Sequence, residues 1–372
     1  MFVRHGARNT EGHLNERMHK TRTASAICLT TLSLLLFTAC TVQPAIHETK
    51  PEVKSAQNAH AEPAKDQSTP EITPEPTLEP APEPTAFTIA WMSDTQAYTA
   101  ADSDVFGRMT QWIVDTRQEY NTVMTVHTGD IVYNAFREYE WQNSVAAFAK
   151  LPKDMHILTA AGNHDQLPED QKETPYLDHR PDTDFDPARA FDKTGLSYYM
   201  TFEAGGVPIL VFSLAYGQEV EAASWVNEVC KQYADHYAIL CLHNYMDLGG
   251  YSSVGRRLIK SVIQQSPNIR VVLCGHERGM QYFAETPDDN KDATPDRTVH
   301  QMMMNVQDDA ERGVGYLRLL RFDPVLDTIE VVTYSPVLDC YGYKVPVGGD
   351  RFGGKKTLEN AGLRDFLTQV NP

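Results

Sequence analysis

The sequence predicts a layered α/β domain in which strands and helices alternate along the chain. Three observations carry that expectation. Five apolar runs each stop abruptly at polar residues, as buried strands do where they reach the edge of a sheet. Between the early runs, Phe106, Met109, Trp112, Ile113 and Thr116, and again Trp141, Val145, Phe148 and Leu151, fall at helical spacing. Further on, residues 198–202 and 207–212 flank a Gly205-Gly206 turn, and 315–321 and 328–334 flank Asp323-Pro324, so each set reads as a strand pair.

Taken in order, the chain opens with a polar, basic stretch over residues 1–22 and turns apolar over 24–39, through Leu34-Leu35-Leu36-Phe37. Such a run is short for a bilayer-spanning helix and suits the apolar core of a secretory signal, so export is expected. It ends Leu36-Phe37-Thr38-Ala39-Cys40. That ending resembles a bacterial lipobox, with Phe37 where Leu is usual, and the resemblance implies a lipidated Cys40 anchoring a cell-membrane lipoprotein. An ordinary signal peptide, giving a secreted protein, and a membrane-anchoring helix are the alternatives. Met18 offers a conventional signal-peptide start. Residues 41–85 are rich in Pro, Glu, Thr and Ala with almost no large apolar side chains, so they cannot offset the entropy of ordering and read as an extended tether.

One folded domain is expected over residues 86–337. The first strand is Ile89-Ala90-Trp91-Met92, the second Val123-Met124-Thr125-Val126 and the third Met155-His156-Ile157-Leu158-Thr159, with the two helices interleaved. Residues 166–196 are charged and contain proline, a long insertion directly after the third strand and a candidate lid or specificity loop. A helix with Ala222, Trp225, Val226 and Val229 on one face precedes a strand at 238–242, and a helix over about 255–265 precedes one at 271–274. Beyond Pro336 the pattern weakens. Residues 338–372 are expected as an extension packed on or trailing the domain, with 358–370 a candidate terminal helix.

The six cysteines lack CxxC spacing, which argues against a structural zinc site. Cys241 and Cys274 are expected to pack as small hydrophobes, while a Cys230–Cys340 pair is left open. A formal net charge of −17 argues against a generic nucleic-acid binder, since polyanions are held chiefly by Lys and Arg. It leaves room for a small phosphate ester brought in by metal ions.

The five strand ends share a chemistry. Asp94-Thr95-Gln96 follows the first, His127-Thr128-Gly129-Asp130 the second, Ala161-Gly162-Asn163-His164-Asp165 the third, His243-Asn244 the fourth and Gly275-His276-Glu277-Arg278 the fifth. Carboxylate, amide oxygen and imidazole suit Mn, Fe, Zn or Mg, and the ends of α/β strands are where such sites lie. In this order the motifs resemble the calcineurin-like metallophosphoesterase family over about residues 86–337, most specifically through Gly129-Asp130 and Gly162-Asn163-His164-Asp165. The resemblance implies a four-layer αββα sandwich that hydrolyses phosphate mono- or diesters, with Asp130 bridging two divalent metal ions and Asn163, His243 and His276 completing one site. It implies His164 as the proton donor to the leaving oxygen, its imidazole oriented by Asp165. No Ser or Cys nucleophile motif is present, so attack by a metal-bound hydroxide is expected.

The sequence departs from the family at the other metal position. Where the family has Asp-x-His and Gly-His-x-His, this chain has Asp94-Thr95-Gln96 and His276-Glu277-Arg278. Gln96 retains a carbonyl oxygen, but a guanidinium has donors only and cannot ligate a cation. One firm metal site is therefore expected beside a second that is weak or absent. Arg278 either clamps a phosphoryl oxygen in place of the lost cation or pairs with a carboxylate such as Glu277. His127 and His300 are expected as core or supporting groups, and the resemblance implies that Asn134 lines the pocket. The leading expectation is an exported, monomeric phosphoesterase acting on a small-molecule or cell-wall phosphate ester, without a specific nucleic-acid partner and joined to the membrane by its lipid anchor. The rival is a surface binding lipoprotein on the same fold with an impaired metal site.

Overall fold

The computed structural model describes residues 83–101, 103–166, 174–181, 185–307, 315–342 and 351–368. The expected leader, Cys40, the start at Met18 and residues 41–82 of the tether lie outside the described residues. In chain order, β1 (Phe87–Met92) leads through α1 (Gln96–Ala100), α2 (Val105–Asp115) and α3 (Arg117–Tyr120) to β2 (Thr122–His127), and α4 (Glu138–Phe148) leads to β3 (His156–Thr159). The short α5 (Tyr176–His179) precedes the hairpin β4 (Tyr198–Ala204) and β5 (Val207–Leu214), then come α6 (Ala223–Gln232), β6 (Tyr237–Leu242) and a small hairpin, β7 (Met246–Asp247) and β8 (Gly250–Tyr251). Next is α7 (Ser253–Leu258), continued by a π-helical turn at Ile259–Ile263. The remaining strands are β9 (Ile269–Cys274), β10 (Gly279–Glu285), β11 (Val299–Asn305), β12 (Leu317–Asp323), β13 (Thr328–Ser335), β14 (Cys340–Tyr341) and β15 (Lys355–Glu359).

Two mixed sheets result. The first has the order β14-β13-β12-β1-β2-β3, with β15 also on β13, and β1, β2 and β3 run parallel. The second has the order β10-β11-β9-β6-β5-β4, with β5, β6, β9 and β11 parallel. Side-chain alternation along each strand makes the layers. Ile89 and Trp91 point into a core shared with Val211, Ile239 and Val271 of the second sheet, while Ala90 and Met92 face Phe106, Met109 and Trp141 of the helices outside. On the far side Leu240 and Val272 pack against Val226, Leu258 and Val262. This is the four-layer αββα arrangement.

The chain's end differs from the sequence reading. Instead of a helix over 358–370, residues 355–359 add a strand to β13 and Arg364–Phe366 make one 3-10 turn. Only Leu358 of β15 is buried. The unpaired edge of β13 recruits the strand, and Leu358, Leu363 and Phe366 close the inter-sheet core, so tertiary pairing overrides a weak local pattern. The cysteine question resolves likewise: Cys230, Cys241, Cys274 and Cys340 are all free thiols, and burial pushes the first three well up, keeping them as inert packing groups.

Candidate metal centre

The parallel strands of both sheets end at one place. β1, β2 and β3 deliver Asp94, Asp130 and Asn163, and β6 and β9 deliver His243 and His276 from the facing sheet. The turns that carry them are tight: Asp94, Asp130 and His276 sit in the left-handed region at φ of 53, 56 and 71°. Non-glycine residues tolerate this at a cost of order 1–3 kcal/mol, found where geometry is imposed for function. Two glycines allow the loops to close up, since a Cβ on Gly162 would collide with Asp130 and one on Gly275 with Ser93 and Asp94.

At the centre is one imidazole nitrogen. His243 is fully buried and its Nδ1–H donates to the Thr128 carbonyl at 2.9 Å, which turns Nε2 toward the site. Around Nε2 stand three acceptors, Asp130 Oδ1, Asn163 Oδ1 and His276 Nδ1, each at 3.2 Å. Among the described residues, Asp130, His243 and His276 form the group whose ligand atoms lie within 4.8 Å of one another. The charges follow from this crowding. Burial opposes a charge on His243, but Asp130's charge and hydrogen bond outweigh it and push the imidazole up to about 10. Burial likewise opposes the Asp130 carboxylate, and the His243 charge holds it below the usual range. Burial and the His243 charge push His276 down to about 4, leaving it neutral with a lone pair to offer. A proton on His243 thus stands where a cation fits, because one proton serves one acceptor and a cation serves all three.

A sequence profile of the calcineurin-like phosphoesterases matches residues 87–278, over half of the chain. The chain belongs to this family. It is also 32% identical over 274 residues to the uncharacterized protein YvnB of Bacillus subtilis, a match covering 72% of this chain and 21% of YvnB, so the chain spans about a fifth of that relative. Two phosphatases are among the solved structures that resemble it. A purple acid phosphatase from yellow lupin (Lupinus luteus) seeds has a TM-score of 0.49 at 12% identity, covering 78% of this chain and 56% of that one. A dimetal phosphatase from Danio rerio has a TM-score of 0.48 at 10% identity, covering 75% of this chain and 100% of that one.

Within this family the chain departs at the position that the sequence resemblance assigns to a first metal. Asp94 is fully buried and its carboxylate is taken by protein donors: the Ser93 hydroxyl, the His276 N–H at 3.2 Å and the Asn305 amide at 2.8 Å. The Asn305 amide also donates to the His276 carbonyl at 2.8 Å, tying β11 to the loop after β9. Ser93 in turn accepts from Thr128 at 2.7 Å, whose hydroxyl accepts from the Trp91 indole at 3.0 Å. Burial pushes Asp94 up to about 8 against the pull of the His243 charge. Gln96 donates its amide to Asp130 Oδ2 at 3.1 Å, and its own Oε1 is buried without a partner. That orphaned oxygen fits a cation only if the amide turns over. The donors already present fit the position better, and Asn305, which the sequence reading missed, is one of them.

The third strand's loop departs from expectation in detail. Asp165 does not orient His164. Its Oδ1 accepts from the backbone N–H groups of Ile131 and Val132 at 2.8 and 3.0 Å, and its Oδ2 from Gly162 at 2.8 Å. No hydrogen bond joins it to the His164 imidazole. His164 is held otherwise: its backbone N–H donates to Asp130 Oδ1 at 3.0 Å and its Nδ1–H to the Tyr133 carbonyl at 2.7 Å. With Nδ1 so engaged, Nε2 is the ring nitrogen left without a hydrogen bond among the described residues. Nearby, Tyr216 places its ring 6.2 and 5.8 Å from those of His243 and His276. His127 is buried, pushed by that burial down to about 3, and bonded to Thr95 at 3.0 Å, a supporting group as expected. Arg278 is exposed, two residues beyond His276. Of the 166–196 insertion, 167–173 and 182–184 lie outside the described residues. Thr174 bonds the Asp165 carbonyl at 2.9 Å, and the buried Tyr176 bonds Thr159, so this part of it is docked on β3 and its loop.

Proposed function

We propose that the protein hydrolyses phosphate mono- or diesters using one firmly held divalent cation, bound by Asp130, Asn163, His243 and His276. What supports this most is His243 Nε2 facing three acceptors at 3.2 Å, a charge pattern that a cation satisfies and a single proton does not. A bound cation there supplies positive charge for the phosphoryl oxygens and lowers the pKa of water. His164, its Nδ1–H held by the Tyr133 carbonyl, presents Nε2 as proton donor to the leaving oxygen. Arg278, on the loop that carries His276, neutralises a phosphoryl oxygen by a bidentate contact and takes over part of the missing second cation's role. Gln96 and Asn305 donate amide N–H groups to Asp130 Oδ2 and Asp94 at the first metal position.

The test is hydrolysis of aryl phosphate mono- and diesters with Mn²⁺, Fe²⁺, Zn²⁺, Mg²⁺ or chelator. Turnover is expected to require a cation and to fall at least about 100-fold in His164→Ala and His243→Ala. Metal analysis is expected to return about one cation per chain, rising toward two when Gln96→His and Arg278→His are combined to restore imidazole ligands. Two cations on the unaltered chain would overturn the single-cation reading. Bound cation without turnover on any ester would favour the binding lipoprotein. The proposal extends to place: a small or wall-associated ester outside the cell, with the chain exported through residues 24–39 and anchored at Cys40. Loss of detergent-phase partitioning in Cys40→Ser checks the anchor.

A further inference from the structure

We propose that Tyr133, Phe136 and Tyr139 form the subsite for the ester's leaving group, and that this group carries a flat ring. The proposal rests on the phosphoesterase reading above and adds the chemical class of the substrate. The three side chains are 55, 75 and 47% exposed and lie within seven residues between Asp130 and the first turn of α4. Large apolar side chains clustered in water mark a binding surface when the backbone beneath them is fixed. Here it is fixed by buried carboxylates from two elements. Asp165 takes the N–H groups of Ile131 and Val132, and Glu140, also fully buried, takes those of Tyr133 and Asn134 at 2.7 and 3.0 Å. Asn134 Oδ1 then takes the Phe136 N–H at 3.0 Å, and the Ala135 carbonyl accepts the Trp141 indole at 2.9 Å. The loop is preorganised, so little ordering entropy opposes a ligand that lies against it.

Its place beside His164 decides the occupant. The Tyr133 carbonyl holds His164 Nδ1, and the Tyr133 ring centroid lies 5.1 Å from that of His164 at an interplanar angle of 38°. The His164 backbone N–H faces Asp130, so the phosphoryl group belongs on the cation side. An oxygen that takes a proton from Nε2 carries its substituent out toward this aromatic loop. A ring stacks on Tyr133 and Phe136, where a short alkyl chain leaves them wet.

The experiment is steady-state hydrolysis of 1-naphthyl phosphate and methyl phosphate by the full chain with its cation, and by Tyr133→Ala, Tyr133→Trp and Phe136→Ala. Comparing the ratio of kcat/KM for the two esters between variants cancels their intrinsic difference in reactivity. The ratio is expected to fall about tenfold or more in Tyr133→Ala and Phe136→Ala through a higher KM for the naphthyl ester, and to be kept in Tyr133→Trp. A ratio within about twofold of the parent's in both alanine variants would overturn the subsite. Phe136 is so exposed that its removal leaves the core intact, which keeps the test readable should Tyr133→Ala fold poorly. If neither monoester is hydrolysed, the phosphoesterase reading is decided by the diesters above, and calorimetric binding of 1-naphthyl phosphate decides the subsite by itself. Weaker binding in Phe136→Ala upholds it, and equal affinity ends it.

Discussion

Asp165 and Glu219 show two fates for a carboxylate beside a metal centre. Asp165 spends its lone pairs on three backbone N–H groups, two of them from the loop after Asp130. Truncating it to Ala leaves all three unpaired in the interior. That is expected to lower the unfolding free energy by at least about 3 kcal/mol in urea titration. Glu219, after β5, is 2% exposed, with one oxygen on the Gly217 N–H at 2.7 Å and the other buried without a partner. Burial pushes it up to about 7 from 4.5. The folded chain then holds a proton that the unfolded chain has released, so stability is full below about pH 4.5 and is lost as pH rises to about 7. In chelated protein this contribution is of order 3 kcal/mol, and urea titrations at both ends of the window are expected to show it shrinking in Glu219→Gln. Neither role was legible in the sequence, because each depends on where a side chain points. That Asp94, Asp130, Asn163, His243 and His276 converge was legible because strand ends of an α/β sheet meet at one rim, though the hydrogen bonds that occupy Asp94 were not. Asn305 was not: it lies 211 residues from Asp94 and follows Met302-Met303-Met304 at the end of β11 with no motif to mark it.

Among the elements, β1, β2, β3, β6 and β9 could be read from sequence because burial on both faces makes a continuous apolar run with a sharp end. β15 could not. Its Lys355-Lys356-Thr357-Leu358-Glu359 has one buried side chain, and what makes it a strand is the open edge of β13. Lys355 reaches Glu330 at 2.7 Å across that edge, an exposed contact of little energetic weight. The weight lies in Leu358, Leu363 and Phe366, which fill the inter-sheet core. A chain ending at Gly342 is therefore expected to lose at least about 4 kcal/mol of stability. Hydrogen exchange would show the lost protection first along β13, at Ile329 and Val331.

Over the whole molecule, two sheets pack face to face and their parallel strands finish at a common rim. The proposed cation ligands divide evenly across that rim, Asp130 and Asn163 from one sheet and His243 and His276 from the other. Without a cation, four polar groups from opposing halves crowd one proton. With it they share a charge, and a ligand bound only by the folded state adds about 4 kcal/mol at a thousandfold excess over its dissociation constant. The thermal midpoint is therefore expected to drop on chelation and to climb with cation concentration, a shift that His276→Ala should largely abolish. The ion would act as a rivet through both halves of the sandwich, and the metal available around the protein would set how firmly the structure is shut as well as how fast it works.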